Sequence, residues 1–188
     1  MTHIALRTAG VALVALVAAA CGGSAPAVPP SAVPSAALAT YADYEAALCA
    51  SFTSLIRAVG NPDAGTPSVM SKALDDAVTA HDALAADRAA TAMLTELETG
   101  RRHAATAARW EPAAPAMAHM DRLLVAFETM TTAKRAAAAG TPGAAEPQLA
   151  FEQAGGVEAW TGVLLGMRTV TPPAGASPQP CRAFSGQV

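Results

Sequence analysis

Apolar residues recur at steps of three and four through most of this chain, and no segment alternates with period two. Such steps return to one side of a helix, so the pattern predicts helices and no sheet. The first runs from about Thr40 to Val59, with Tyr41, Tyr44, Leu48, Phe52, Leu55 and Val59 on one stripe. Gly60-Asn61-Pro62 ends it, because glycine suits the position past a helix end and proline cannot continue one. Cys49 lies beside the stripe, about 100° from Leu48.

The next helical stretch, Thr66 to Trp110, opens on a hydroxyl cap followed by proline. Met70, Leu74, Ala77, His81 and Leu84 share a face. An unbroken helix of about 44 residues would be about 66 Å long. A compact domain of about 130 residues has a radius of gyration near 14 Å. The stretch must therefore break. The expected place is between His81 and Asp87, with Asp82 or Asp87 as the new cap, and Gly100 is the alternative.

A further helix begins near Pro112–Pro115 and carries Met117, Met120, Leu124, Phe127 and Met130. It ends at Gly140, after Lys134 and Arg135, whose charges suit the negative end of a helix dipole. Thr141-Pro142-Gly143 reads as a turn. The last helix is expected over about Pro147 to Val170, with Leu149, Val157, Trp160, Leu164 and Met167 as its apolar stripe. Gly155-Gly156 weakens it by about 1 kcal/mol per glycine against alanine, and can kink it or admit close helix contact. Residues 171–188 form a proline-rich tail containing Cys181. The fold class is thus all-α, a bundle of four or five antiparallel helices over residues 40–170.

The amino terminus follows different rules. Ile4 to Ala20 is an apolar run behind Arg7, the one fixed positive charge of that region. A basic start, an apolar stretch of about 7–15 residues and a small-residue cleavage site mark a secretory signal. The run is at or below the ~18–20 apolar residues that span a bilayer. Ala18-Ala19-Ala20 precedes Cys21, and Gly22-Gly23-Ser24 follows it. This segment resembles the signal peptide of bacterial lipoproteins, although that family usually carries leucine where this chain has Ala18. The resemblance covers residues 1 to about 24. It implies removal of residues 1–20, lipidation of Cys21 by acyl chains such as palmitate, and a membrane partner reached through the anchor. It places the protein on the outer side of the cytoplasmic membrane or at an outer membrane. The alternative is an ordinary secretory signal cut after an Ala-x-Ala site. Pro26, Pro29, Pro30 and Pro34 stiffen residues 22–39 into a linker that lifts the folded part off the membrane.

Composition supports the helical reading. Alanine makes up about a quarter of the 188 residues and is the best helix former. Aromatics are only 4%, so leucine, valine, methionine and close-packed alanine must build the core. The formal charge is −3, or −4 once Arg7 is removed, which argues against a nucleic-acid partner.

Candidate chemistry is sparse. With Cys21 lipidated, Cys49 and Cys181 remain, and an oxidising compartment favours a bridge between them. It would pin the tail to the first helix and stabilise by up to ~4–5 kcal/mol through loop closure. Met117, His119 and Met120 combine thioether and imidazole, ligands suited to copper or haem iron. Met117 and Met120 also fit a core stripe, and standard metal-binding spacings are missing, so no cofactor is expected. Arg101-Arg102-His103 reads as a solvated face near Glu96, Glu98 and Glu111, and Asp75-Asp76 likewise. No catalytic serine elbow, phosphate loop or dinucleotide fingerprint is present. The expectation is a non-enzymatic, envelope-anchored domain that binds a partner protein. A small-molecule or metal binder is the alternative, and a dispersed active site using His81, His103 or His119 comes third.

Overall fold

Thr40 starts the first helix, α1 (Tyr41–Val59), with a reciprocal cap. Its hydroxyl accepts the Asp43 N–H at 3.2 Å, and the Asp43 carboxylate accepts the Thr40 N–H at 2.9 Å. The computed structural model describes residues 40–61 and 64–176. The proposed leader, Cys21, the linker, Cys181 and the tail beyond residue 176 lie outside the described residues. Tyr44, Leu48, Phe52 and Leu55 of the predicted stripe are buried, and Tyr41 and Val59 pack against them.

Gly60 closes α1 with φ +104°, a value that side chains rarely adopt. A Cβ there would lie 2.2 Å from the Thr66 carbonyl oxygen. The reason is a two-residue antiparallel pairing of β1 (Gly60–Asn61) with β2 (Thr66–Pro67), in the register Gly60↔Pro67. So Thr66-Pro67 is not the helix start that the sequence suggested. Ser68 takes that role. Its hydroxyl accepts the Ser71 N–H at 2.9 Å and donates to the Ala58 carbonyl at 2.6 Å, joining the end of α1 to the start of α2 (Val69–Thr79).

The expected break falls at residues 80–82. His81 takes φ +52°, and the Asp82 carboxylate accepts the N–H groups of Leu84 and Ala85 to open α3 (Ala83–Ala107). Leu74 and Ala77 are buried, but His81 and Leu84 are exposed, because the face they were expected to share ends with α2. Gly100 does not break α3. It lies inside the helix as a close-packing point, where a Cβ would meet Leu124 and α1 at 3.3–3.4 Å. The Ser51 hydroxyl donates to the Gly100 carbonyl at 3.0 Å, which satisfies a buried hydroxyl of α1.

A 3-10 turn, Glu111–Ala113, leads into α4 (Ala114–Ala138). The predicted last helix is divided. Gly155 takes φ +76° and separates α5 (Pro147–Gln153) from α6 (Gly156–Thr169). The stripe expected on it also needs correction. Leu149, Val157 and Leu164 are exposed, whereas Gly156, Ala159 and Val163 are buried. Small residues set this orientation. A Cβ on Gly166 would approach Ala116 Cβ to 2.7 Å, and one on Gly162 would approach the His119 ring to 2.1 Å. The side of α6 without bulk is therefore the side that reaches α4.

Helices make up 77% of the described residues, which makes the fold all-α. Cross-helix contacts fix the directions. Tyr41 meets Trp110, Arg101 pairs with Asp121, Arg135 with Asp87, and Ala116 lies against Gly166. These pairings make α1, α3, α4 and α6 successive antiparallel neighbours. The main core gathers α1, α3, α4 and α6 around Phe52, Leu55, Leu97, Met120 and Leu124. A smaller one packs Leu74 and Ala77 of α2 on Ala86, Ala90 and Met93 of α3 and on Ala138.

Candidate functional site

Arg101 projects from α3 toward α4 and holds two acids seven residues apart on that helix. Its Nε donates to Asp121 Oδ1 at 2.9 Å, and its Nη1 lies 3.5 Å from Glu128 Oε2. Seven residues are nearly two helical turns, so both acids face the same way. Burial pushes the Glu128 carboxyl above its usual range, Arg101 opposes that, and Asp121 and Glu98 add to it. The bond to Asp121 in turn holds the Arg101 guanidinium more firmly protonated. Two acids thus share one guanidinium, and a third, Glu98, acts on Glu128. Arg101 belongs to this cluster, not to the solvated face predicted for Arg101-Arg102-His103.

Glu128 also lines an open groove of about 510 Å³. Thr129, Thr132, Ala133 and Ala136 of α4 form one wall, with Ala145 of the following loop and Ala150 of α5 opposite. Both threonine hydroxyls donate to carbonyls of their own helix, which leaves methyl groups as the main surface. Phe127 and Phe151 meet at a 45° tilt with centroids 4.8 Å apart and pack α5 against α4. Sequence reasoning missed this site: the seven-residue spacing of Asp121 and Glu128 puts two acids on one helix face, but nothing in the sequence pairs them with Arg101.

The thioether–imidazole set does not share a face. Met117 and Met120 are fully buried in the main core. His119 stands about 160° around the helix from Met117 and presses its ring on Gly162. Its Nδ1 is buried and has no hydrogen-bond partner among the described residues. His81 lies in the α2–α3 connection and His103 on α3. Among the described residues, no group of three or more His, Cys, Asp or Glu side chains could hold a metal ion.

Cys49 sits part-buried in the middle of α1 and is disulfide-bonded. The only other cysteines, Cys21 and Cys181, are both outside the described residues.

At the amino-terminal end of α1, Tyr41, Tyr44 and Trp110 form an aromatic cluster with centroids 5.1–5.9 Å apart. Burial, reinforced by Glu45, pushes the Tyr41 hydroxyl up to about 12. The cluster closes the end of the bundle at which the chain enters.

A second surface lies on the last two helices. Leu149 is 47% exposed, Val157 54%, Leu164 37% and Leu165 57%. Val157, Leu164, Leu165 and the part-buried Trp160 fall within about 140° of the α6 circumference, opposite the small residues that face α4. No helix among the described residues is long and apolar enough to cross a membrane.

No family model matches this chain, no curated protein matches it, and no solved structure matches its fold.

Proposed function

We propose that this protein is a non-enzymatic, lipid-anchored envelope protein whose helical domain binds a partner protein through the outer face of α6. The observation that carries this reading is the apolar arc of exposed Val157, Leu164 and Leu165 beside the core-packed Trp160, on a helix already packed through its opposite side. Contiguous exposed apolar surface of this kind marks interaction sites. Four side chains fall short of the ~800 Å² per partner of a standard interface. The reading therefore favours a short apolar or amphipathic segment of the partner, seated by anchors at helical spacing.

Anchoring at Cys21 rests on the resemblance of residues 1 to about 24 to lipoprotein signals. Two or three acyl chains, at about 0.8 kcal/mol per buried methylene, would make attachment stable. Pairing of Cys49 with Cys181 follows from the same reading, since a lipidated Cys21 has no thiol to give. Ten residues lie between Val170 and Cys181, and the eleven steps at ~3.3 Å each allow a reach of up to about 36 Å from the end of α6.

A photo-crosslinking amino acid at Leu165, with one at the exposed Thr91 of α3 as control, tests the partner surface in cells. The expected result is a discrete adduct from Leu165 alone, lost when Val157→Glu is added. No adduct, or the same adduct from both sites, would contradict the reading.

A further inference from the structure

We propose that the α4–α5 groove binds an alkylammonium group, with the apolar stem along the alanine wall and the cation at Glu128. Its volume, about 510 Å³, falls within the range of small-molecule sites, which pair an apolar lining with a few polar groups. Here the lining is Ala133, Ala136, Ala145, Ala150 and two threonine methyls, and Glu128 is the one ionisable group on it.

Charge decides the class of ligand. Asp121 and Glu128 share Arg101, and Glu98 adds its charge at Glu128, so the acids that act on Glu128 outnumber the cation paired with it. An anion would be repelled, and a neutral ligand would leave that excess uncompensated. A cation at Glu128 relieves repulsion among the acids and matches a carboxylate already partly withdrawn from water. The Glu128 side chain is 24% exposed, so it can be reached from solvent. A lone ion would leave the alanine wall wet, whereas a short alkyl stem covers it. A lysine side chain and a free aliphatic amine share this chemistry.

The groove and the α6 face are separate observations, so the amine can fail to bind while the partner reading stands. The test uses the full-length chain with ¹³C-labelled alanine methyls. The probes are n-pentylamine, n-pentanol, pentanoate and Nα-acetyl-lysine methylamide. The expected result is a saturable shift of the Ala133, Ala136 and Ala145 methyls with pentylamine, and none with pentanoate. Glu128→Gln should weaken this binding at least about tenfold, and Ala145→Leu, which fills the groove from a loop, should abolish it. If the lysine amide reproduces the shifts, the ligand is a protein side chain. If pentylamine alone does, it is a free amine. Equal shifts with pentanol, unchanged binding in Glu128→Gln, or no saturation up to about 50 mM would overturn the proposal.

Discussion

Small residues, rather than large ones, decide how this bundle closes. Gly162 and Gly166 let α6 approach α4 until the His119 ring and Ala116 take the space of the missing side chains. In an open helix, alanine would be favoured over glycine by about 1 kcal/mol. At position 166 the nearest atoms include Ala116 Cα, 2.9 Å from the added Cβ, and a backbone atom cannot swing aside. Gly166→Ala is therefore expected to lose about 1–3 kcal/mol despite its better helix propensity. Urea denaturation checks this, with the exposed Thr161→Ala on the same helix staying within about 0.5 kcal/mol of the parent chain. Equal stability of the two variants would remove the close-approach explanation for the orientation of α6. Sequence periodicity pointed the other way at these residues. Leu149, Val157, Trp160, Leu164 and Met167 are spaced like a core stripe, yet only Trp160 and Met167 pack against the core, since hydrophobic spacing alone cannot distinguish residues that pack inward from those left outside. Glycines carry no weight in such a pattern, yet here they mark the contact.

At the scale of elements, caps and breaks were more legible than faces. Asp82 opens α3 as expected, because a short acid placed before an alanine-rich run offers oxygens to the first free N–H groups. Gly60 closes α1 for an equally local reason, its positive φ. Ser68 was missed because its role depends on Ala58, ten residues earlier, and on a strand pair too short for any period to show. The site was hidden for a similar reason. Arg101 stands among charged residues on α3, and only the packing of α4 shows that Asp121 and Glu128 are its partners. The cap of α1 makes an element-scale prediction about pH. Hydrogen bonds from the Thr40 N–H and then its hydroxyl hold the Asp43 carboxyl below its usual range. A lowered folded value means that this contribution is complete above the ordinary aspartate range. It is lost as pH falls through the lowered value. Thr40→Ala should cost about 1 kcal/mol at pH 7 through loss of the cap, and the gap between variant and parent should narrow as pH falls below the ordinary aspartate range. Urea titrations of both chains across that range measure it. A gap that stays constant would detach the cap from the carboxylate.

At the scale of the whole molecule, the architecture is legible in the sequence and the proposed partner is not. An all-α fold follows from alanine content and period, and the antiparallel order of α1, α3, α4 and α6 follows from short connections and paired side chains. Most of the bundle is closed, with its large apolar side chains inside, yet among the described residues four of the six exposed large hydrophobics lie on α5 and α6. A domain held near a membrane by its amino terminus can present that face to a neighbour held in the same plane. With the proposed anchor in place, tethering would raise the effective concentration of both, so that a small apolar face would suffice where a free domain needs a larger one. This account stands on the anchor at Cys21. Mass spectrometry of the protein isolated from its own membranes, digested without reduction, tests that anchor directly. The account predicts an amino-terminal peptide that begins at Cys21 and carries two or three acyl chains, together with a linked pair of peptides containing Cys49 and Cys181. A free, unacylated amino terminus at any residue would contradict it.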